Sequence, residues 1–113
     1  MMSVKDKLER DLKKYKIVLL ISSSFPQCKE VLCAFKENED FHIYCPFEMA
    51  VDCSNAENIS AVMEKEMLDF YYMYEFSDRF WVVDNGQQYG SLLNYIKTGI
   101  MTFDEVVESI KML

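Results

Sequence analysis

Two short polar segments, each at the end of a predicted strand, hold the side chains best suited to chemistry in this sequence. Serine hydroxyls follow the apolar run at 17–21, and Asp84-Asn85-Gly86 ends the predicted strand at 79–84. Hydroxyls and free N–H groups at a helix start can hold an anion, and a carboxylate can act as acid, base or Mg²⁺ ligand. Because the carboxyl ends of parallel strands meet at one crevice, the predicted ligand-binding residues are Ser22, Ser23, Ser24, Lys29, Asp84, Asn85 and Gly86.

A structural role for the same residues is the competing interpretation. The serine segment contains no glycine, so its backbone does not wrap a phosphate as dinucleotide-binding loops do. A single aspartate before Asn-Gly usually forms a turn, and no second carboxylate has motif spacing to Asp84. We therefore assign no catalytic residue and no cofactor, and whether the chain is an enzyme stays open.

Histidine and cysteine give weak signals. His42 is the only histidine, and the sequence places no serine or cysteine beside it, so we expect a partly exposed structural side chain. The cysteines at 28, 33, 45 and 53 have no C-x-x-C spacing. We interpret them as structural thiols and predict no metal site.

A stretch rich in tyrosine and methionine is the least ordinary feature. Residues 68–74 are apolar on nearly every side of the predicted helix, which means that the helix is either deeply packed or covered by a partner. Tyrosine and methionine are common at contact surfaces. The predicted homodimer or partner interface is formed by Met67, Phe70, Tyr71, Tyr72, Met73 and Tyr74.

Three strands and five helices must position these residues. The run at 17–21 is continuously apolar, which is typical of a strand covered on both faces. Further strands are predicted at 41–45, nearer a sheet edge because Pro46 ends it, and at 79–84, with a short extra strand possible at 46–53. Helices are predicted at 4–15, from 25 to about 36, from Ser54 to about 74, at 92–97 and after Thr102, with Gly99 as a left-handed residue after the fourth. In the first helix, Asp11 belongs to the charged, solvated face.

The order α-β-α-β-α-β-α-α favours a single α/β domain covering residues 1–113. We expect a three-layer α/β/α sandwich with a mainly parallel, three-stranded sheet in the order 2-1-3 and right-handed crossovers. An order with the second strand central is the alternative.

Charge and hydropathy exclude several partner classes. The net charge of −7 disfavours nucleic-acid binding, which requires clustered Lys and Arg. No apolar run approaches the length of a membrane span, and the charged N-terminal segment is unlike a signal peptide. We expect a cytoplasmic protein.

The C-terminal third combines aromatic, glycine and capping residues in a specific order. The segments 76–80 and 89–99, followed by Thr102 and Glu105, resemble a pattern in small uncharacterised bacterial proteins. The resemblance implies a bacterial origin and assigns no activity. The sequence as a whole favours a non-enzymatic protein-interaction or regulatory module, and the alternative is a small-ligand or anion binder, or a weak enzyme, that uses the crevice at the strand ends.

Overall fold

The computed structural model describes residues 3–22, 27–51, 56–63, 66, 77–84, 94–99 and 101–113. These residues form one sheet in which every adjacent pair of strands is parallel, so the predicted α/β class with a parallel sheet is confirmed. The sheet has five strands in the order β3-β2-β1-β4-β5 rather than three. The strands are β1 Ile17–Ile21, β2 Phe41–Cys45, β3 Ile59–Ala61, β4 Phe80–Asp84 and β5 Tyr95–Lys97.

Strand β1 lies at the centre of the sheet, as its continuous apolarity predicts. It pairs with β2 on one side and with β4 on the other, and all five of its residues are buried. The predicted 2-1-3 order therefore describes the three central strands. The expectation that β2 lies near an edge is wrong, because β3 pairs with its outer side and Pro46 ends the strand without exposing it.

The two added strands lie within segments predicted as helices. Ile59–Ala61 falls in the helix predicted from Ser54, and Tyr95–Lys97 in the one predicted at 92–97. A three-residue strand is too short to show an alternating pattern of its own, so capping signals and apolar spacing favoured a helix at both places. Gly99 has no positive φ, so it is not a left-handed helix end. The extra strand considered at 46–53 is also wrong, since Phe47–Ala50 is helical.

The described helices are α1 Val4–Lys14, α2 Cys28–Phe35, α3 Phe47–Ala50 and α4 Phe103–Lys111. Ser3 caps α1 by accepting a hydrogen bond from the Asp6 N–H at 3.1 Å, and Thr102 caps α4. Helix α2 begins after Gln27 rather than at 25, and residues 23–26 lie outside the described part of the chain.

Helices cover both faces of the sheet, which makes two apolar cores. On one face, β1, β2 and β4 pack against α2 and α4; on the other, they pack against Leu8 and Leu12 of α1. Alternation along β2 divides its side chains as predicted, with Phe41, Ile43 and Cys45 on the α2 face. Within the described residues, no helix has the length and apolarity needed to cross a membrane.

Candidate functional site

The carboxyl ends of β1 and β4 lie side by side, because β1 pairs with β4 on one side and β2 on the other. The chain after β1 crosses to β2, and β4 is reached later in the sequence, so this is the point where strand order reverses. Ser22 follows β1, and its N–H donates to the Val83 carbonyl at 3.0 Å. Asp84 ends the adjacent strand. The structure therefore brings together two of the predicted ligand-binding residues.

Both residues are enclosed and engaged in structural contacts. Ser22 is 1% exposed and Asp84 is fully buried. The Asp84 carboxylate accepts a hydrogen bond from the Tyr95 hydroxyl at 3.0 Å, and its carbonyl accepts one from the Thr98 hydroxyl at 2.9 Å. These bonds join β4 to β5. The described contacts of Asp84 therefore stabilise the edge of the sheet rather than present its carboxylate to a bound molecule.

The remaining predicted site residues are less informative. Lys29 lies in the first turn of α2 and is exposed. The other predicted ligand-binding residues and every predicted interface residue lie outside the described residues: Ser23, Ser24, Asn85, Gly86, Met67, Phe70, Tyr71, Tyr72, Met73 and Tyr74.

A buried polar network on the opposite side of the sheet was missed by the sequence interpretation. Asp11 of α1 was assigned to the solvated face, yet its side chain is 1% exposed. Its carboxylate accepts the Tyr44 hydroxyl at 2.6 Å and the Arg10 guanidinium at 3.2 and 3.3 Å. The signal for this position was its spacing, because Asp11 lies three residues after the buried Leu8 and four before the buried Tyr15, on one helical face.

His42 completes this network and is buried rather than partly exposed. Its Nε2 lies 2.8 Å from the Ser60 hydroxyl oxygen and 3.3 Å from Asp11 Oδ2. The Tyr15 and Tyr44 rings lie beside the imidazole, with centroids 4.9 and 5.0 Å away. The pairing of Tyr44 with Ser60 in the β2–β3 register explains the proximity, because it places the serine on the same sheet face as His42.

The arrangement of serine, histidine and aspartate does not match that of a nucleophilic triad. In a triad the serine and the carboxylate contact different imidazole nitrogens, whereas here both contact Nε2, and within the described part of the chain His42 Nδ1 has no hydrogen-bond partner. A proton on Nε2 serves Asp11 and Ser60, while a proton on Nδ1 would have no acceptor. The contacts therefore favour the neutral imidazole with hydrogen on Nε2, which is unsuited to accept the Ser60 proton.

Burial dominates the electrostatics of the network. Removal from water lowers the pKa of His42 from 6.5 to about 4, and Asp11 offsets this only in part. Burial also raises the pKa of the Tyr44 hydroxyl, with a further rise from its hydrogen bond to Asp11. At neutral pH both side chains are uncharged, so the network holds one carboxylate with neutral donors and one half-exposed guanidinium.

A shallow apolar depression of about 300 Å³ lies beside β3. Phe47 and Val51 line it and are 55% and 69% exposed, and Ser60 contributes from the strand. Among the described residues that line it, Lys7 is the one charged side chain. None of the described residues that line it is acidic, although the chain has a net charge of −7. The described lining consists of Lys7, Phe47, Ala50, Val51, Ile59, Ser60 and Ala61.

A second depression, of about 620 Å³, lies at the amino ends of β1, β2 and β3. Ligand pockets are mostly apolar with a few polar groups, whereas this one mixes ammonium and carboxylate groups, so it is poorly suited to a small molecule. Its described lining is Lys14, Tyr15, Lys36, Glu37, Glu39, Ala56, Glu57 and Asn58. The described residues also hold no group of three or more His, Cys, Asp or Glu side chains arranged to take a metal ion.

The described residues of the segments 76–80 and 89–99 make structural contacts. The Arg79 guanidinium donates to the carbonyls of Tyr15 and Lys16, and the Asn94 side chain donates to the Ser77 carbonyl. These bonds tie the start of β4 to the end of α1 and to the start of β5. No family model, curated protein or solved structure matches this chain.

Proposed function

We propose that this chain is a non-enzymatic protein-interaction module whose docking surface is the margin of the sheet formed by β3 and α3. The observation that carries the proposal is the pair of exposed apolar side chains, Phe47 and Val51, beside β3, the outermost strand of the sheet that the described residues form. Large apolar side chains exposed together mark contact surfaces.

The geometry of the edge indicates how a partner would bind. Strand β3 gives the hydrogen-bonding groups on one of its sides to β2, so alternate residues direct their backbone groups away from the sheet. An extended segment of another protein can add to such an edge, with main-chain bonds supplying affinity and side-chain pockets supplying specificity. Phe47 and Val51 supply the apolar contacts beside it.

Charge favours a different protein over a second copy of this chain. Lys7 lines the depression, and a symmetric dimer through this surface would bring two copies of that lysine together, because a twofold interface repeats the same patch. An apolar segment that carries a carboxylate meets Lys7 favourably. The occupant we propose is therefore an extended, apolar and acidic peptide segment.

Site-specific photocrosslinking tests this surface in cells of the source organism. A photoreactive phenylalanine analogue at position 51 should give a discrete crosslinked product, and one at position 112 should not. Met112 is the matched control because it is also an exposed apolar side chain, at 86%, at the far end of the chain. Equal products from both positions would contradict the proposal.

The crosslinked protein then provides a quantitative test. Purified and added back to this chain, it should bind at least tenfold more weakly to Phe47→Ser than to Met112→Ser, because truncating an interface anchor removes more than about 1.4 kcal/mol. A product whose mass is twice that of the chain would instead identify a homodimer, as predicted for residues 67–74.

A second candidate function is small-ligand binding at the carboxyl ends of β1 and β4. The reversal of strand order at Ser22 and Asp84 favours it, since open parallel sheets bind ligands there. A screen of inorganic phosphate and nucleotides for thermal stabilisation tests it. Stabilisation that is lost in Lys29→Gln and kept in Lys36→Gln would support an anion site; no stabilisation by any compound would count against it.

A further inference from the structure

The His42 side chain is enclosed by three elements and is 1% exposed. Asp11 contacts it from α1, Tyr44 flanks it from β2, and Ser60 contacts it from β3. Tyr15, directly after α1, also lies beside the imidazole, with a ring centroid 4.9 Å away. The imidazole is therefore accessible to water only when one of these elements moves.

Protonation of this imidazole has a definite structural consequence. Nε2 already has two neighbours, so the added proton goes to Nδ1, which is buried and has no hydrogen-bond partner among the residues that the structure describes. Burying an imidazolium whose N–H has no partner costs more free energy than burying a neutral donor that has no partner. The charged form is stable only if Nδ1–H reaches water, which requires a covering element to leave.

Helix α1 is the element best placed to leave. Strand β3 is held to β2 by backbone hydrogen bonds, whereas α1 is held to the sheet face by Leu8 and Leu12 and by the Asp11 network itself. Lys7, Arg10 and Lys14 of α1 repel a charged imidazole, while Asp11 attracts it. Tyr44 and Ser60 contribute no formal charge. Protonation thus places a positive charge beneath α1, where three cations of the helix repel it and one anion attracts it.

We propose that α1 is an acid-released latch, in which protonation of His42 is coupled to local detachment of α1 from the sheet while the core on the α2 face stays folded. Release exposes the face of the sheet that α1 covers, including the side chains packed against Leu8. The latch shares Lys7 and Ser60 with the lining of the depression beside β3, but it does not depend on a partner binding there.

Thermodynamic linkage sets the expected size of the effect. The imidazole has an ordinary pKa near 6.5 when α1 is released and about 4 when it is attached. The attached state binds fewer protons between these values, so release is favoured as pH falls through this interval. The equilibrium constant for release should rise roughly 30-fold between pH 7.5 and pH 5.

Two nuclear magnetic resonance measurements on the full chain test the proposal. Because the chain has a single histidine, its imidazole nitrogen signals are unambiguous, and they should show hydrogen on Nε2 at pH 7.5. Hydrogen exchange, corrected for its intrinsic pH dependence, should show protection of the α1 amides falling roughly 30-fold by pH 5. The α1 amides should be less protected than the β1 amides at both pH values, because α1 opens locally whereas β1, which is also covered from the α2 face, exchanges through global unfolding.

A matched pair of charge variants keeps the network intact. Lys7→Gln removes a cation that lowers the pKa of His42 in the attached state, so it should weaken the release and move it to lower pH. Lys13→Gln makes the same charge change at an exposed position of the same helix and should leave the transition unchanged. His42→Phe should abolish the pH dependence, and if it does not fold, the lysine pair decides.

Three results would overturn the proposal. Constant α1 protection between pH 7.5 and pH 5 would mean that no release occurs. Equal protection of the α1 and β1 amides at each pH would mean that both exchange only through global unfolding. An unchanged pH dependence in a folded His42→Phe variant, or identical shifts in the two lysine variants, would assign the effect to other groups.

Discussion

At the scale of single residues, the defining feature is one buried carboxylate with several donors. Burying a charge is strongly unfavourable unless it is paired and hydrogen-bonded. Asp11 meets this condition with the Arg10 guanidinium on one oxygen and the Tyr44 hydroxyl and His42 on the other. Removing any one donor leaves the buried charge less compensated. Substitutions in this network should therefore change the free energy of unfolding more than substitutions in an apolar contact of the same size.

Replacing Tyr44 with phenylalanine should lower the free energy of unfolding by about 1.5–3 kcal/mol, because the hydroxyl donates to a buried charge. Urea denaturation followed by circular dichroism measures the change. Tyr15→Phe is the matched control, since the structure gives the Tyr15 hydroxyl no hydrogen bond among the described residues, and it should change stability by less than about 0.5 kcal/mol. Equal effects would show that the Tyr44–Asp11 bond contributes nothing specific.

His42 should make global stability depend on pH. Its folded pKa, about 4, lies below its unfolded value of 6.5, so the unfolded state binds more protons between the two. The contribution is fully present above pH 6.5 and is lost progressively toward pH 4, up to about 3 kcal/mol. Unfolding measured in urea from pH 8 to 4 should show a steeper decline for the wild type than for His42→Phe; parallel curves would contradict the expectation.

At the scale of elements, local hydrogen bonds define where helices begin. Thr102 and Glu105 form a reciprocal capping box at α4, with the Thr102 hydroxyl accepting from the Glu105 N–H at 3.2 Å and the Glu105 carboxylate accepting from the Thr102 N–H at 3.1 Å. Such a box satisfies two N–H groups that have no partner in the helix. This element is therefore specified locally, by four consecutive residues.

Thr102→Ala should lower stability by about 1 kcal/mol, as measured by chemical denaturation. Thr102→Ser keeps the hydroxyl and should retain most of the stability. A serine variant as unstable as the alanine variant would show that the methyl group matters more than the cap.

The same locality explains which elements could be predicted from the sequence. The caps at Ser3 and Thr102 were predicted because they involve neighbours in sequence, and β1, β2 and β4 were predicted because five-residue apolar runs stand out. Strands β3 and β5 exist through pairing with β2 and β4, and a single sequence carries no signal for partners so distant along the chain.

The candidate site was predicted less well for a related reason. Ser22 and Asp84 were expected at neighbouring strand ends because strand order follows from connectivity. Their burial depends on Tyr95 and Thr98 of a strand that was not predicted. The Asp11–His42 network joins residues that lie 31 positions apart in the sequence. Only the sheet register brings Ser60 to them.

At the scale of the whole molecule, the sheet separates two cores, and β1, β2 and β4 contribute side chains to both. Leu19 belongs to the core on the α2 face and Leu20 to the core on the α1 face, and both are fully buried. Adjacent residues thus report on opposite sides of the sheet. Because each core is small, we expect the two cores to unfold together in denaturant.

Leu19→Ala and Leu20→Ala should each lower the free energy of unfolding by about 2–5 kcal/mol. Met112→Ala, at an exposed position, should change it by less than about 0.5 kcal/mol. Circular dichroism and the fluorescence of Trp81, the single tryptophan, should give coincident transitions in each variant. Separate transitions would indicate that the two cores unfold independently.

The Arg79 guanidinium has a mechanical consequence. It fastens the chain at the carbonyls of Tyr15 and Lys16, directly after the last turn of α1. If α1 detaches from the sheet face, its C-terminal end therefore stays anchored by these hydrogen bonds. Reattachment of α1 is then a short rotation about this anchor. The helix should therefore rebind the sheet quickly and repeatedly without disturbing the rest of the chain.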